Sequence, residues 1–202
     1  MSSRPVMSTG RMEAFSDGVI AILITIMVLD LKVPHGDSLA ALKPLSHTLL
    51  SYLMSFVYLG IYWNNHHHLL HTVRTVNGGI LWANLHLLFW LSLVPFVTGW
   101  MGENRFAPLP TAMYGVVLLL AAAAYFILQG GILAQQGPDS ALARAIGEDL
   151  KGKASLGLYL TAIPLAFYRP WLAGAVYALV ALIWLIPDRR IERMASDNPL
   201  RP

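Results

Sequence analysis

The sequence contains no cysteine and has few charged residues. Without cysteine, the chain has no disulfide framework, thiolate zinc site or cysteine nucleophile, so any metal site would need histidine and carboxylate ligands. Only 12% of its 202 residues are charged, against about 25% in ordinary soluble domains. The net charge of +3 is small and the basic residues are scattered, which argues against a nucleic-acid partner.

Signatures of catalysis are missing as well. The sequence has no recognisable nucleophile triad, phosphate-binding loop or dinucleotide-binding motif. It therefore predicts neither an enzyme nor a bound cofactor.

What the sequence has in abundance is apolar residues, which make up 56% of the chain. A membrane span needs about 20 predominantly apolar residues. Six stretches approach this length, at residues 14–31, 45–63, 79–99, 110–130, 153–168 and 171–187. Pro95 predicts a kink in the third stretch and Pro170 a turn before the sixth. We predict an all-α integral membrane protein with six transmembrane helices, forming a single domain over residues 1–202.

The Lys and Arg residues predict the orientation, because cytoplasmic loops carry an excess of them. With the N-terminus inside, ten fall in inside segments and four in outside segments. The inside residues are Arg4, Arg11, Arg74, Arg144, Lys151, Lys153, Arg189, Arg190, Arg193 and Arg201; the outside residues are Lys32, Lys43, Arg105 and Arg169. We therefore expect both termini in the cytoplasm of a multi-pass protein.

One stripe of side chains runs along the first predicted span. At about 100° per residue, one helix face carries Phe15, Gly18, Ile22, Thr25 and Leu29. The stripe is either a packing seam, with Gly18 allowing close approach and Thr25 bonding to its own helix carbonyls, or the lining of a pore. In a pore, Ile22 and Leu29 would be apolar constrictions with a ring of Thr25 between them. One helix cannot enclose a pore, so the second interpretation requires a symmetric oligomer.

Charged residues lie at the start of the same span. Arg11 and Asp17 are six residues apart, too far for a simple pair within one helix, so each needs a partner elsewhere. Ser16 and Asp17 could also merely cap the helix. Polar groups beside an apolar span are costly and are therefore candidates for function.

Four histidines lie within six residues at the end of the second span: His66, His67, His68 and His71. His67 and His71 are one helical turn apart and could hold zinc, with His86 or Asp17 completing the site if the fold brings them together. The alternative is a structural histidine that bonds to the Ser16–Asp17 region, because buried polar groups in membranes seek one another. We favour this alternative and assign no metal.

One set of residues combines these elements: Arg11, Phe15-Ser16-Asp17-Gly18, Ala21-Ile22, Thr25, Trp63, His66-His67, Asn84 and Pro95-Phe96. Together they resemble the transmembrane protein 175 family, which comprises endolysosomal potassium channels and their bacterial homologues. The resemblance covers roughly the first hundred residues by motif and the whole chain by its six-span layout.

The resemblance implies a homotetramer of six-helix subunits whose first helices line a central pore. Ile22 then matches a bulky aliphatic constriction, Thr25 a hydroxyl linked to selectivity, and Leu29 a second apolar ring. The implied function is passive, potassium-preferring cation conduction across the bacterial plasma membrane, with potassium ions and lipid as partners.

The resemblance also implies a polar network that braces the pore helix without forming the ion path. Arg11, Ser16 and Asp17 are expected to bond with Trp63 and His67. The run of histidines is richer than this motif needs, so sensitivity to pH or metal is an additional hypothesis.

Two other functions stay open on sequence grounds. One is a metal-binding membrane protein or enzyme centred on His66, His67 and His71. The other is a proton-coupled transporter with Asp17 as the relay carboxylate.

Overall fold

The computed structural model describes residues 7–73, 75–147 and 149–185. Within these ranges the chain forms eight α-helices and two short strands. The helices are α1 (Thr9–Ile26), α2 (Ser46–His71), α3 (Gly78–Ser92), α4 (Val94–Glu103), α5 (Pro108–Gln136), α6 (Ala141–Ile146), α7 (Leu150–Tyr168) and α8 (Pro170–Leu185). Two 3-10 helices, Met27–Asp30 and Leu39–Leu45, lie between α1 and α2.

The two strands fix one end of the bundle. β1 (Met7–Ser8) precedes α1, and β2 (Thr75–Val76) follows α2. They pair antiparallel, with Met7 opposite Val76. This pairing holds the start of α1 beside the end of α2, where the polar residues of both helices lie.

Four helical segments of the described chain are long and apolar enough to cross a membrane: Thr9–Asp30, Leu39–His71, Gly78–Glu103 and Pro108–Gln136. They coincide with the first four predicted spans. The predicted fifth and sixth spans correspond to α7 and α8. α8 is apolar but has only 16 residues, and α7 has 19 residues but is less apolar than the first four segments. The six-span topology therefore stays a prediction.

Proline positions explain two interruptions. The third predicted span divides at Leu93 into α3 and α4, with Pro95 in the first turn of α4. Proline has no backbone N–H and cannot continue the hydrogen-bond ladder of α3. Pro170 begins α8 two residues after α7 ends, as expected for a turn. Both predictions from proline are confirmed.

Several predicted boundaries were wrong. α1 begins at Thr9 and ends at Ile26, and α2 continues to His71 instead of ending at residue 63. The polar side chains after residue 63 do not end α2; Asn65 Nδ2 donates to the Ile61 carbonyl one turn earlier. Residues 186 and 187 of the sixth predicted span lie outside the described residues. So do Arg4, Arg74, Arg189, Arg190, Arg193 and Arg201 of the orientation count.

The core of the bundle centres on α5, which packs against α3, α4, α7 and α8. Small residues on α5 permit this close packing: Gly115, Ala121 and Ala124 face neighbouring helices. The Tyr177 hydroxyl occupies the space that a side chain at Gly115 would need. Small residues at helix interfaces are typical of membrane bundles. α1 lies at the side of this core, against α2, α3 and α4.

Candidate functional site on the first helix

One face of α1 is buried against its neighbours. The buried residues are Thr9, Met12, Ser16, Ile20 and Leu23, followed by Met27 in the 3-10 helix. Their spacing of three and four residues is that of a single helix face. This face therefore attaches α1 to the rest of the subunit.

A hydrogen-bonded network of buried side chains joins α1, α2 and α3. Asn84 of α3 donates through Nδ2 to Ser16 Oγ of α1 at 2.9 Å. The Oδ1 atom of Asn84 is 2.7 Å from Nε2 of His66 on α2. Ser16 Oγ donates in turn to the Met12 carbonyl at 2.8 Å. Since Ser16, His66 and Asn84 are all buried, each hydrogen bond replaces one that water would otherwise have made.

A second contact at the same end of α1 is more exposed. Trp63 of α2 donates through Nε1 to Asp17 Oδ1 at 3.0 Å. Ser16 and Asp17 are adjacent in sequence, so they turn to different neighbours, α3 and α2. This explains why the two residues are found together at the start of α1.

The expected partners are only partly the ones observed. Trp63 bonds to Asp17 as expected, but His67 contacts Glu13 and not Arg11, Ser16 or Asp17. Arg11 is exposed and has no ion-pair partner among the described residues. The prediction that His67 and Arg11 bond within this motif is therefore wrong for the described residues. The buried histidine of the network is His66, which reaches Ser16 through Asn84.

The opposite face of α1 is exposed and largely apolar. It carries the predicted stripe of Phe15, Gly18, Ile22 and Thr25, with Ile22 exposed to 62%. Phe15, which the motif grouped with the polar residues, lies on this exposed face and takes no part in the network. The stripe is thus not a packing seam within the subunit.

Thr25 has its hydroxyl turned back towards α1. Oγ1 lies 3.0 Å from the carbonyl oxygens of both Ala21 and Ile22 and donates to them. The packing-seam interpretation predicted that Thr25 bonds to carbonyls of its own helix. That hydrogen bond is present, although the stripe is not a packing seam. Because the proton is used within the helix, the oxygen lone pairs stay available on the exposed face.

Leu29 lies beyond the end of α1. It belongs to the 3-10 helix Met27–Asp30 and is exposed to 78%. A 3-10 helix turns by about 120° per residue, compared with about 100° in an α-helix. The α-helical spacing that placed Leu29 in line with Ile22 and Thr25 therefore does not extend to this residue.

The histidines considered for a metal site lie in three environments. His67 Nδ1 and His71 Nε2 lie 3.0 Å and 3.5 Å from Glu13 Oε1. His66 instead faces Asn84, and His86 accepts a hydrogen bond from Trp90 Nε1 at 2.9 Å. The group around Glu13 does not include His66, His86 or Asp17, which the sequence had offered as metal ligands.

Sequence reasoning missed Glu13, and it placed His67 in the network where the structure has His66. A signal for His66 was present, because Tyr62, His66, Leu69 and Leu70 recur at helical spacing and are buried together.

The fold and this site define a multi-span helical membrane protein. Its first helix is bonded to the subunit on one face and exposed on the other.

Comparison with known proteins identifies the group to which this membrane protein belongs. The family described as "Endosomal/lysosomal potassium channel TMEM175" matches residues 11–95. A potassium channel from Chryseobacterium sp. (strain P1-3) is 55% identical over 192 residues, covering 95% of this chain and 100% of that protein. A potassium channel from Streptomyces collinus is 34% identical, covering 87% of this chain and 91% of that one.

A solved structure agrees with these relatives. The crystal structure of a lysosomal potassium-selective channel TMEM175 homolog from Chamaesiphon minutus matches with a TM-score of 0.77 and 30% identity. The match covers 89% of this chain and 97% of that one. The chain belongs to the TMEM175 family. This is an ion-channel family, so the chain is a membrane protein and not an enzyme.

Proposed function

We propose that this chain is a potassium-preferring cation channel that conducts passively, with its first helix lining the pore. The observation that carries the proposal is the exposed stripe of Gly18, Ile22 and Thr25, on a helix whose other face is fixed to the subunit. The relatives that match most of this chain are named potassium channels. The metal-dependent enzyme and the proton-coupled transporter are not favoured.

The proposed pore needs several copies of the chain. A single α1 has one exposed stripe and cannot surround an ion, whereas cyclic symmetry repeats the stripe as rings of identical side chains. We propose a homotetramer with α1 nearest the axis. The subunit would be one six-helix channel domain, with both termini in the cytoplasm of a bacterial plasma membrane.

The residues of the stripe have different proposed roles. A ring of Ile22 would form an apolar constriction, which resists water and ions when narrow. A ring of Thr25 would offer oxygen lone pairs to a potassium ion that has lost part of its hydration shell, because the Thr25 proton is donated to α1 carbonyls. Leu29 would form a second apolar ring beyond the end of α1; its exposed position in the 3-10 helix supports this role, and α-helical spacing does not.

The hydrogen-bonded face of α1 has a supporting role in this proposal. The Trp63–Asp17 and Asn84–Ser16 bonds hold α1 at two points on different neighbours. A pore helix must keep its rings in register, and these bonds oppose rotation of α1. Arg11 is exposed on the same helix, where it is free to contact lipid headgroups or another subunit. No cofactor is required for any of these roles.

Flux measurements test the proposal directly. The purified chain is reconstituted in liposomes, its subunit count is established, and potassium and sodium fluxes are compared for the wild type and Ile22→Asn. We expect potassium flux to exceed sodium flux, and Ile22→Asn to raise flux because asparagine hydrates the constriction.

The matched control is Ile127→Asn. Ile127 is exposed to a similar extent, but it lies on α5, away from the stripe. Its substitution should leave flux unchanged. No flux in either the wild type or Ile22→Asn, from a demonstrated tetramer, would contradict the pore.

A further inference from the structure

Three side chains with metal-ligating atoms converge where the start of α1 meets the end of α2. Oε1 of Glu13 lies 3.0 Å from Nδ1 of His67 and 3.5 Å from Nε2 of His71. All three ligand atoms lie within 4.8 Å of one another. His67 and His71 are one turn apart, so both imidazoles leave α2 on the same face. The antiparallel strand pair holds the two helix ends together at this point.

The two separations between Glu13 and the histidine nitrogens fit a tetrahedral metal centre. Zinc bonds to histidine nitrogen and carboxylate oxygen are about 2.0–2.2 Å long. Two ligand atoms on neighbouring corners of such a tetrahedron are therefore about 3.3 Å apart. The observed 3.0 Å and 3.5 Å lie on either side of this value. Small side-chain movements would bring the three atoms around one ion.

The environment of His67 also indicates a ligand. Its Nδ1 atom is buried and has no hydrogen-bond partner among the described residues, although Glu13 Oε1 is 3.0 Å away. Its ring stacks against Trp63 with centroids 5.8 Å apart, which fixes the orientation of the imidazole. A buried nitrogen that makes no hydrogen bond costs free energy, and coordination of a metal would remove that cost.

We propose that Glu13, His67 and His71 bind one divalent transition-metal ion per chain. Two imidazoles and one carboxylate are the donor set of zinc and its neighbours in the first transition row, whereas magnesium and calcium prefer oxygen ligands alone. Three protein ligands leave a fourth position for water. The half-exposed His71 side chain gives the ion a route from solvent.

Metal binding at this position connects α1 to α2. Glu13 belongs to α1, while both histidines belong to α2. Trp63, which stacks on His67, also donates the hydrogen bond to Asp17 of α1. The ion therefore strengthens an existing contact between the two helices without entering the exposed stripe. A metal that fixes α1 in this way is a means of regulating a pore helix.

Zinc titration of the full-length chain tests the site. The protein is purified in detergent, treated with a chelator, and titrated with zinc chloride by calorimetry. We expect one zinc per chain, and Glu13→Gln and His71→Ala should each weaken binding by at least about 10-fold, since losing even an outer-shell partner costs that much. The control is His35→Ala, which removes an exposed imidazole from the loop after α1 and should leave the affinity unchanged.

Cobalt provides a readout of geometry. Cobalt(II) added to the chelator-treated chain should show the visible absorption of a tetrahedral site with nitrogen and oxygen ligands, and His71→Ala should abolish it. His71 is outside the buried network, so the variant should fold; His71→Gln serves as a second variant if it does not. Zinc binding that is absent, or equally tight in Glu13→Gln and His71→Ala, would overturn the proposal. The measurement needs no ion flux, so it is independent of the proposed conduction.

Discussion

The two faces of α1 differ in exposure and in hydrogen bonding. The buried face is mostly apolar but places Ser16 in a network with His66 and Asn84. The exposed face presents the large apolar side chain of Ile22 beside the Thr25 hydroxyl, which bonds only to carbonyls of its own helix among the described residues. Such an exposed apolar face is suited to contact with lipid, another copy of the chain or a narrow pore.

Substitutions on the two faces should therefore change different properties of the protein. Hydrogen bonds on the buried face are made within one subunit, so their loss should lower the stability of the fold. Side chains on the exposed face make few contacts within the subunit, so their loss should alter conduction or assembly with little change in stability. Each of the following measurements tests this separation.

Removal of the central amide of the network should have the largest effect on stability. Asn84→Ala leaves Ser16 Oγ and His66 Nε2 buried without their shared partner. Two unsatisfied buried groups, at about 1–3 kcal/mol each, would cost about 2–6 kcal/mol. Ser16 keeps its hydrogen bond to the Met12 carbonyl, so we expect the free energy of unfolding to fall by about 2–4 kcal/mol. Unfolding of the purified chain in detergent measures this loss.

The control for this variant is Asn104→Ala. Asn104 is exposed, and among the described residues its side chain bonds only to the Trp100 carbonyl, at 2.8 Å. Its replacement should change the free energy of unfolding by less than about 0.5 kcal/mol. If both variants were equally stable, the buried network would not hold α1 in place.

How far this arrangement can be predicted from sequence differs between the two faces. Helical periodicity identified the exposed stripe, because Gly18, Ile22 and Thr25 lie within one regular α-helix. It failed at Leu29, because the change to a 3-10 helix after Ile26 depends on packing. The breaks near Pro95 and Pro170 were predictable, since proline acts through its own backbone.

The buried network was harder to predict because its members are far apart in the chain. Ser16 and Asn84 are separated by 68 residues, and the choice of His66 over His67 depends on how α2 is rotated about its axis. Successive residues on a helix point about 100° apart, so adjacent histidines cannot both face α3. Helical spacing indicates that His66 shares a face with Tyr62 and Leu69, but it does not show that this face meets α3; the packing of all the helices decides that.

Substitution of Ile22 should have a smaller effect on stability. In the proposed tetramer it should instead report contacts between subunits. The chain lacks cysteine, so Ile22→Cys introduces a single thiol. In a tetramer with α1 on the axis, mild oxidation should link pairs of subunits through this residue, while the free energy of unfolding of each subunit stays near the wild-type value. Denaturing gel electrophoresis without reductant measures the linked dimer.

Ile127→Cys is the control for cross-linking. Ile127 is exposed to 52%, but it lies on α5, which packs against α3, α4, α7 and α8. Away from a symmetry axis, a residue does not meet its own copy, so this thiol should not form a dimer. Equal cross-linking of both variants would place the exposed face of α1 away from the axis.

The smallest change is expected from Thr25→Ala, which should leave stability and assembly intact and alter only ion preference. The hydroxyl donates to carbonyls of its own helix, and the helix keeps its backbone hydrogen bonds without it. If the Thr25 oxygen contributes about 1 kcal/mol to the preference for potassium, on the scale of one hydrogen bond, the potassium-to-sodium permeability ratio should fall about five-fold. Reversal potentials under mixed potassium and sodium gradients measure this ratio.

Thr25→Ser keeps the oxygen and should retain the wild-type value. Thr161→Ala removes a hydroxyl that is similarly exposed and bonded to its own helix, at the Leu158 carbonyl on α7, and should change nothing. An unchanged reversal potential in Thr25→Ala would mean that the exposed oxygen of α1 does not meet the ions, and would leave Ile22 as the functional residue of the stripe.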